Sequence, residues 1–206
     1  MAKGPQFKDW VTPVGMFKMT FLDKPSPPFE GKGDPMYKTR ILLDDTAENR
    51  EFVAKVIAKA EEEAKTHKVK LKKQYHNPFI MPEDMDDDDF VPEEGKTNPK
   101  YDEDHRDKII FDIKSKYKPG LIDAARESLP EDVKIYGGDK GRVKFVASPF
   151  VSGANTGITL RLVTVQLVEK NANYGGNRGP NTDGFDDIDG YVAPAGSGED
   201  DEEEDF

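Results

Sequence analysis

Apolar and polar residues alternate with a period of two in several separate segments of this chain, while helical spacing occurs in one long segment, and that contrast limits the fold most. In VGMFKMTFL, residues 14–22, Phe17, Met19 and Phe21 share one phase and Lys18 and Thr20 the other, the pattern of a strand with one buried face. Tyr37, Thr39, Ile41 and Leu43 alternate with Lys38 and Arg40 in residues 36–43, and Ile109, Phe111 and Ile113 stand opposite Lys114 and Lys116 in residues 108–117. Residues 133–136 and 143–150, joined by a turn containing Gly137, Gly138 and Gly141, read as a strand pair, and residues 158–168 as a long last strand. Between the second and third strands, Phe52, Val53, Val56, Ile57, Ala60 and Ala64 recur at three- and four-residue spacing without a glycine or proline. Asp45 followed by Glu48 gives that helix a capping-box start, with Asp in place of Ser or Thr. The pattern predicts a mainly β chain: a five-stranded OB-fold (Greek-key) barrel with one helix between the second and third strands. A β-sandwich is the competing arrangement.

The barrel is expected to occupy residues 1–170, with a flexible linker and an acidic tail over 171–206. The net charge of −11 argues against a nucleic-acid partner until it is located. Residues 181–206 hold 11 acids and no base, which equals the whole imbalance of 30 basic and 41 acidic residues. Residues 83–107 hold 12 acids against 3 bases, so residues 1–82 and 108–180 together carry 27 bases against 18 acids. The expected folded body is therefore basic. Residues 77–107, with the run Asp86 to Asp89, read as a mobile acidic insert able to bury little apolar surface. The tail is expected to be disordered, and a flexible chain of its length has an r.m.s. reach of roughly 25–30 Å.

Several chemistries are excluded by inventory. Without cysteine there are no disulfides, thiolate nucleophiles or cysteine-bound zinc. His67, His76 and His105 form no helical pair for a metal. Asp84, Asp86 and Asp88 alternate like a calcium loop, but Asp89 and Gly95 stand where such a loop needs glycine and glutamate. Residues 137–142 lack the spacing and the Lys-Ser/Thr ending of a phosphate loop. No cofactor, no metal and no enzymatic activity are expected. The N-terminal segment has no signal-peptide core, and no apolar run reaches the roughly 18 residues of a membrane span, so no membrane partner is expected.

Cations that track phosphates and aromatic faces that stack on bases are what sequence-tolerant binding of single strands needs. The candidates are Lys18, Lys38, Arg40, Lys114, Lys116, Arg142 and Lys144 on the polar phases of strands, with Tyr117 and Phe150 near strand ends. Lys68, Lys70, Lys72 and Lys73 surround Val69 and Leu71 before Tyr75, a further basic stretch with an aromatic end.

The chain resembles the acidic-tailed single-stranded-DNA-binding proteins of tailed phages. GDPMYKTRILLDD leading into EFVAKVIAKAEEEA is similar to that family's second strand and helix, and EDVKIYGGDKGRVKF and ITLRLVTVQLVEK to its last strands. GYVAPAG at Gly190 to Gly196 and the terminal EDDEEEDF carry the resemblance most specifically, because few acidic runs end in phenylalanine. The resemblance implies an OB barrel that coats single-stranded DNA in phage DNA replication, recombination and repair, in the cytoplasm of the infected bacterial host. It implies that the tail residues Asp200, Asp201, Glu202, Glu203, Glu204, Asp205 and Phe206 compete with DNA and dock a phage DNA polymerase and helicase-primase. Family members are often homodimers. Phe150 in SPFVSG falls where the family places an aromatic near the groove, whereas Ser152 departs from a second one, a role open to Tyr75 or Trp10. The alternative from another class is an acidic DNA mimic or assembly chaperone that does not itself bind DNA.

Overall fold

The computed structural model describes residues 7–28 and 33–171. Its elements run β1 (Asp9–Val11), β2 (Gly15–Ser26), β3 (Met36–Asp44), α1 (Ala47–Thr66), β4 (Phe79–Ile80), β5 (Lys108–Ser115), β6 (Gly120–Ile122), β7 (Lys140–Ser152) and β8 (Asn155–Glu169). β2 pairs with β3, β3 with β5, β5 with β8, β8 with β7, and β7 returns to β2. These five strands close on themselves, which removes the open edges a sandwich would keep. Within the ring every pairing is antiparallel except β5 with β8. The ring runs first, second, third, fifth, fourth in chain order, the Greek-key connection of an OB-type barrel. α1 lies between the second and third ring strands, as expected. β1, β4 and β6 pair onto β7, β5 and β8 outside the ring, so the described residues hold eight strands rather than five.

The inward phases of the ring supply the core: Phe17, Ile41, Phe111, Ile113, Val143, Phe145, Leu160 and Val165 are all buried, with Val53, Val56 and Ala60 of α1 packed into the same cluster. Phe111 sits at its centre, 4.8 Å edge-to-face from Phe79 and 6.3 Å from Phe145. Truncating a side chain of this size in a closed core typically costs about 3–5 kcal/mol. Gly141 is required where β7 presses on its neighbours, because a Cβ there would lie 2.0 Å from the Gln166 carbonyl oxygen and 2.6 Å from the Phe17 ring.

Four local readings of the sequence are corrected. The helix is capped by Thr46, whose hydroxyl accepts from the Asn49 amide at 3.2 Å, while Asp45 pairs with Arg50. Residues 133–136 are not a strand. Buried Asp139 draws them into a knot, accepting from the Tyr136 and Asn171 amides at 2.9 Å each and from Lys170 Nζ at 3.1 Å. The hairpin is instead β7–β8, turning at Gly153.

In β2 the expected phase holds at Phe17 and then slips. Met19 takes a φ of +51° at an irregularity between Lys18 and Phe21, so Leu22 is buried and Phe21 is 37% exposed. A single extra residue in a strand moves every following side chain to the other face.

The acidic segment 77–107 buries more than its composition suggests. After β4 it forms short 3-10 turns at Pro82–Asp84, Asp87–Phe90 and Glu103–His105. Tyr101, 2% exposed, joins Leu42 and Ile110 in a satellite core, flanked by Met16, Ile80, Met85 and Phe90. Arg106 lies 4.0 Å over the Phe90 ring. The widely spaced aromatic and methionine side chains, diluted among acids, are what gives the segment an apolar side. The tail residues 200–206 lie outside the described residues.

Candidate nucleic-acid interface

Because β2, β3, β5 and β8 pair in register, their outward side chains line up in rungs across the sheet. The first rung, Met16, Leu42 and Ile110, is apolar and covered by the acidic segment. The second is Lys18, Arg40 and Asp112. Lys18 is 20% exposed and held by Asp104 at 2.7 Å and Asp102 at 3.2 Å, while Arg40 pairs with Asp112 at 2.7 Å. Burial pulls the Lys18 ammonium pKa down, but the hydrogen bonds and charges of Asp104 and Asp102 outweigh it and the net shift is upward. The third rung is Phe21, Lys38, Lys114 and Arg161. Lys38 stands 5.1 Å over the Phe21 ring, and neither Lys38, Lys114 nor Arg161 has an acidic partner among the described residues.

This cationic rung opens into a groove of about 330 Å³. Of the rung, Lys38 and Lys114 line it, together with Arg40, the two acids Asp34 and Asp112, and the less polar Met19, Pro27, Pro28, Pro78 and Ile113, with His76 and Thr159 beside them; Phe21 and Arg161 lie outside its lining. His76 also lines a second depression of about 510 Å³, together with Lys72, Phe150, Ser152 and Asn155. The Phe150 ring is half-buried with its centroid 6.2 Å from that of His76. Gly157 makes this join possible. The Thr156 carbonyl accepts from the His76 amide at 2.9 Å and the His76 carbonyl from the Ile158 amide at 3.0 Å, so a Cβ on Gly157 would lie 2.7 Å from His76.

The sequence candidates therefore fall into distinct places. Lys38, Arg40 and Lys114 share the groove, and Phe150 borders its continuation. Lys18 neighbours the groove but is clamped by acids. Lys116 pairs with Asp34, which raises the lysine pKa and lowers that of the carboxyl. Tyr117 is 76% exposed beyond the end of β5 and does not line the groove. Arg142 and Lys144 lie on β7 beside β1 instead, where Arg142 Nε donates to the Thr12 carbonyl at 3.0 Å and Lys144 pairs with Asp9 at 2.8 Å. Arg161 and His76 were not among the candidates. Arg161 was readable, since it takes the polar phase in TLRLV; His76 was not, because its place depends on a bridge to Gly157 far along the chain.

The family model for the Enterobacter phage Enc34 ssDNA-binding protein matches residues 17–204. Among solved structures, the fold is similar to that of the single-stranded DNA-binding protein from bacteriophage Enc34 in complex with ssDNA, with a TM-score of 0.60 and 17% identity over 79% of this chain and 87% of that one. It is also similar to gp2.5, a single-stranded DNA binding protein encoded by bacteriophage T7, with a TM-score of 0.53 and 19% identity over 92% of this chain and 100% of that one. No curated protein matches the sequence. With its barrel closed in Greek-key order and the family match spanning both the barrel and most of the acidic tail, this chain belongs to the Enterobacter phage Enc34 ssDNA-binding protein family.

Proposed function

We propose that the protein binds single-stranded DNA without regard to sequence, in phage DNA replication, recombination and repair within the infected bacterial host. The observation that carries this reading is the third rung: Lys38, Lys114 and Arg161 stand side by side across three strands with no acidic partner among the described residues, and Lys38 and Lys114 line a groove that shares His76 with the depression beside Phe150. Three unpartnered cations on one rung suit a polyanion, and the phosphates they meet are the same in every sequence. Phe150 and Phe21 offer faces to unstacked bases, which a duplex keeps inside its own stack. Lys18, Arg40 and Lys116 contribute once their carboxylates are displaced.

The terminal acids and Phe206 act as a tethered competitor for the groove and as the docking peptide for a DNA polymerase and helicase-primase, with two protomers as the working unit. Tethering sets an effective concentration on the order of millimolar, so weak contacts suffice to compete. A gel-shift of the purified protein with single-stranded and duplex oligonucleotides of equal length tests the binding reading. The expected result is strong preference for the single strand at moderate salt. Equal affinity for both refutes it, and binding to neither favours the acidic mimic.

A further inference from the structure

Beyond the groove, Lys72 borders both the Phe150 depression and a separate open cleft of about 890 Å³ at the end of α1. We propose that this cleft is a second subsite for single-stranded DNA, continuing the strand past the barrel; the inference rests on the binding function proposed above.

The cleft has an apolar floor of Val69, Leu71 and Tyr75, each half-buried, and a rim of exposed lysines. Lys65, Lys68, Lys70 and Lys73 have no acidic partner among the described residues. In this they match Lys38, Lys114 and Arg161 of the third rung and differ from Lys18, Arg40, Lys108, Lys116, Lys140 and Lys144, each within 4 Å of a carboxylate. Glu61, the acid on the cleft, is already engaged, accepting from the Tyr75 hydroxyl at 2.9 Å. Burial and that carboxylate push the Tyr75 hydroxyl up to about 12, so the ring stays neutral at any working pH.

Lys68 ends the helix with a φ of +57°, a conformation usually given to glycine or asparagine, while the Val69 amide donates to the Ala64 carbonyl at 2.8 Å. The segment is also fastened to the groove. The Lys72 amide donates to Thr156 Oγ1 at 3.0 Å, Lys72 Nζ donates to the Ala154 carbonyl, and His76 is bridged to Gly157. The groove and the Phe150 depression share His76, and the Phe150 depression and the lysine cleft share Lys72, so each neighbours the next. Neutral, unpaired ligands have no use for four free ammonium groups; phosphates at regular spacing do.

The test uses the full chain and its Lys68→Gln/Lys70→Gln/Lys73→Gln variant, titrated over a range of salt with oligothymidylates of about 8 and about 16 nucleotides, both within the roughly 4–16 nucleotides bound per OB barrel. Glutamine keeps the side-chain length, and undiminished binding of the short oligonucleotide reports an intact barrel. The expected result is a loss confined to the long oligonucleotide, with affinity lower by roughly 10–100-fold at about 0.1 M salt and a log–log salt slope shallower by about 2. Unchanged slope and affinity on the long oligonucleotide overturn the subsite while leaving the groove. Equal losses on both lengths also overturn it, since the lysines then act as a diffuse field. Tighter binding by the variant, abolished by removing residues 181–206, assigns the cleft to the acidic tail and overturns it too. Failure of the unaltered protein to bind either length removes the proposed function itself.

Discussion

Lys114 on β5 and Lys116 just past its end are both exposed, yet they offer different things to an anion. Lys114 has no acidic partner among the described residues, whereas Lys116 is held by Asp34 and must exchange one carboxylate for one phosphate. A fully exposed pair of this kind is weak, so the exchange diminishes the contribution of Lys116 without removing it. Lys114→Ala is therefore expected to lower single-strand affinity more than Lys116→Ala, with both variants melting as the parent does; fluorescence titration with oligothymidylate measures the order. Phe150→Ala is expected to lose the roughly 1–3 kcal/mol of one base–aromatic stack, about 5- to 150-fold in affinity. Because Phe150 also lies near His76 and Gly157, its melting temperature has to be followed alongside. At this scale the sequence was legible wherever a strand ran straight. Ile109, Phe111 and Ile113 are buried as alternation requires, and Lys114 faces out. It failed at Phe21, because the backbone irregularity at Met19 has no signature in residue type: methionine is not a residue that announces a positive φ.

The acidic segment is the element in which composition misled most. Twelve acids in residues 83–107 read as an uncondensed loop, but Tyr101, Phe90, Met85 and Ile80 give it one apolar side, which covers the rung of Met16, Leu42 and Ile110. Those three outward residues show why the sequence was ambiguous: an apolar residue on the outward phase of a strand signals a partner layer only when the partner is known. Once docked, the segment sets Asp102 and Asp104 on Lys18 and closes that end of the cationic face. Asp104→Asn is expected to strengthen single-strand binding by up to about one phosphate contact, seen as a salt slope steeper by up to about 0.7, because Lys18 is then held by Asp102 alone. Asp104 is 60% exposed, so stability should shift by less than about 0.5 kcal/mol, and an unchanged slope would show that Lys18 takes no part in binding. Helix α1 was the most legible element, since its 3.6-residue periodicity needs no tertiary information; only its first turn was misassigned, by one residue, to Asp45 instead of Thr46.

For the molecule as a whole, the net charge of −11 equals the excess of acids in residues 181–206; with the acidic segment docked on the barrel, residues 1–180 hold 30 bases against 30 acids, so the body is neutral rather than basic and its free cations are local patches. Removing residues 181–206 is expected to strengthen binding to oligothymidylate and to abolish recruitment of the replication partner in a pull-down, whereas deleting Phe206 alone mainly impairs the partner. Truncation that changes neither reduces the tail to a solubility device. The proposed function requires the cations of the third rung, Lys38, Lys114 and Arg161, to carry phosphates of a single strand. A salt titration of oligothymidylate binding by the full chain and by its Lys38→Gln/Lys114→Gln/Arg161→Gln variant counts them. If Z phosphates are contacted, the slope of log K against log salt is about −0.7Z, and the variant is predicted to be shallower by about 2 with its melting temperature preserved. A well-folded variant with the slope and affinity of the parent would contradict it.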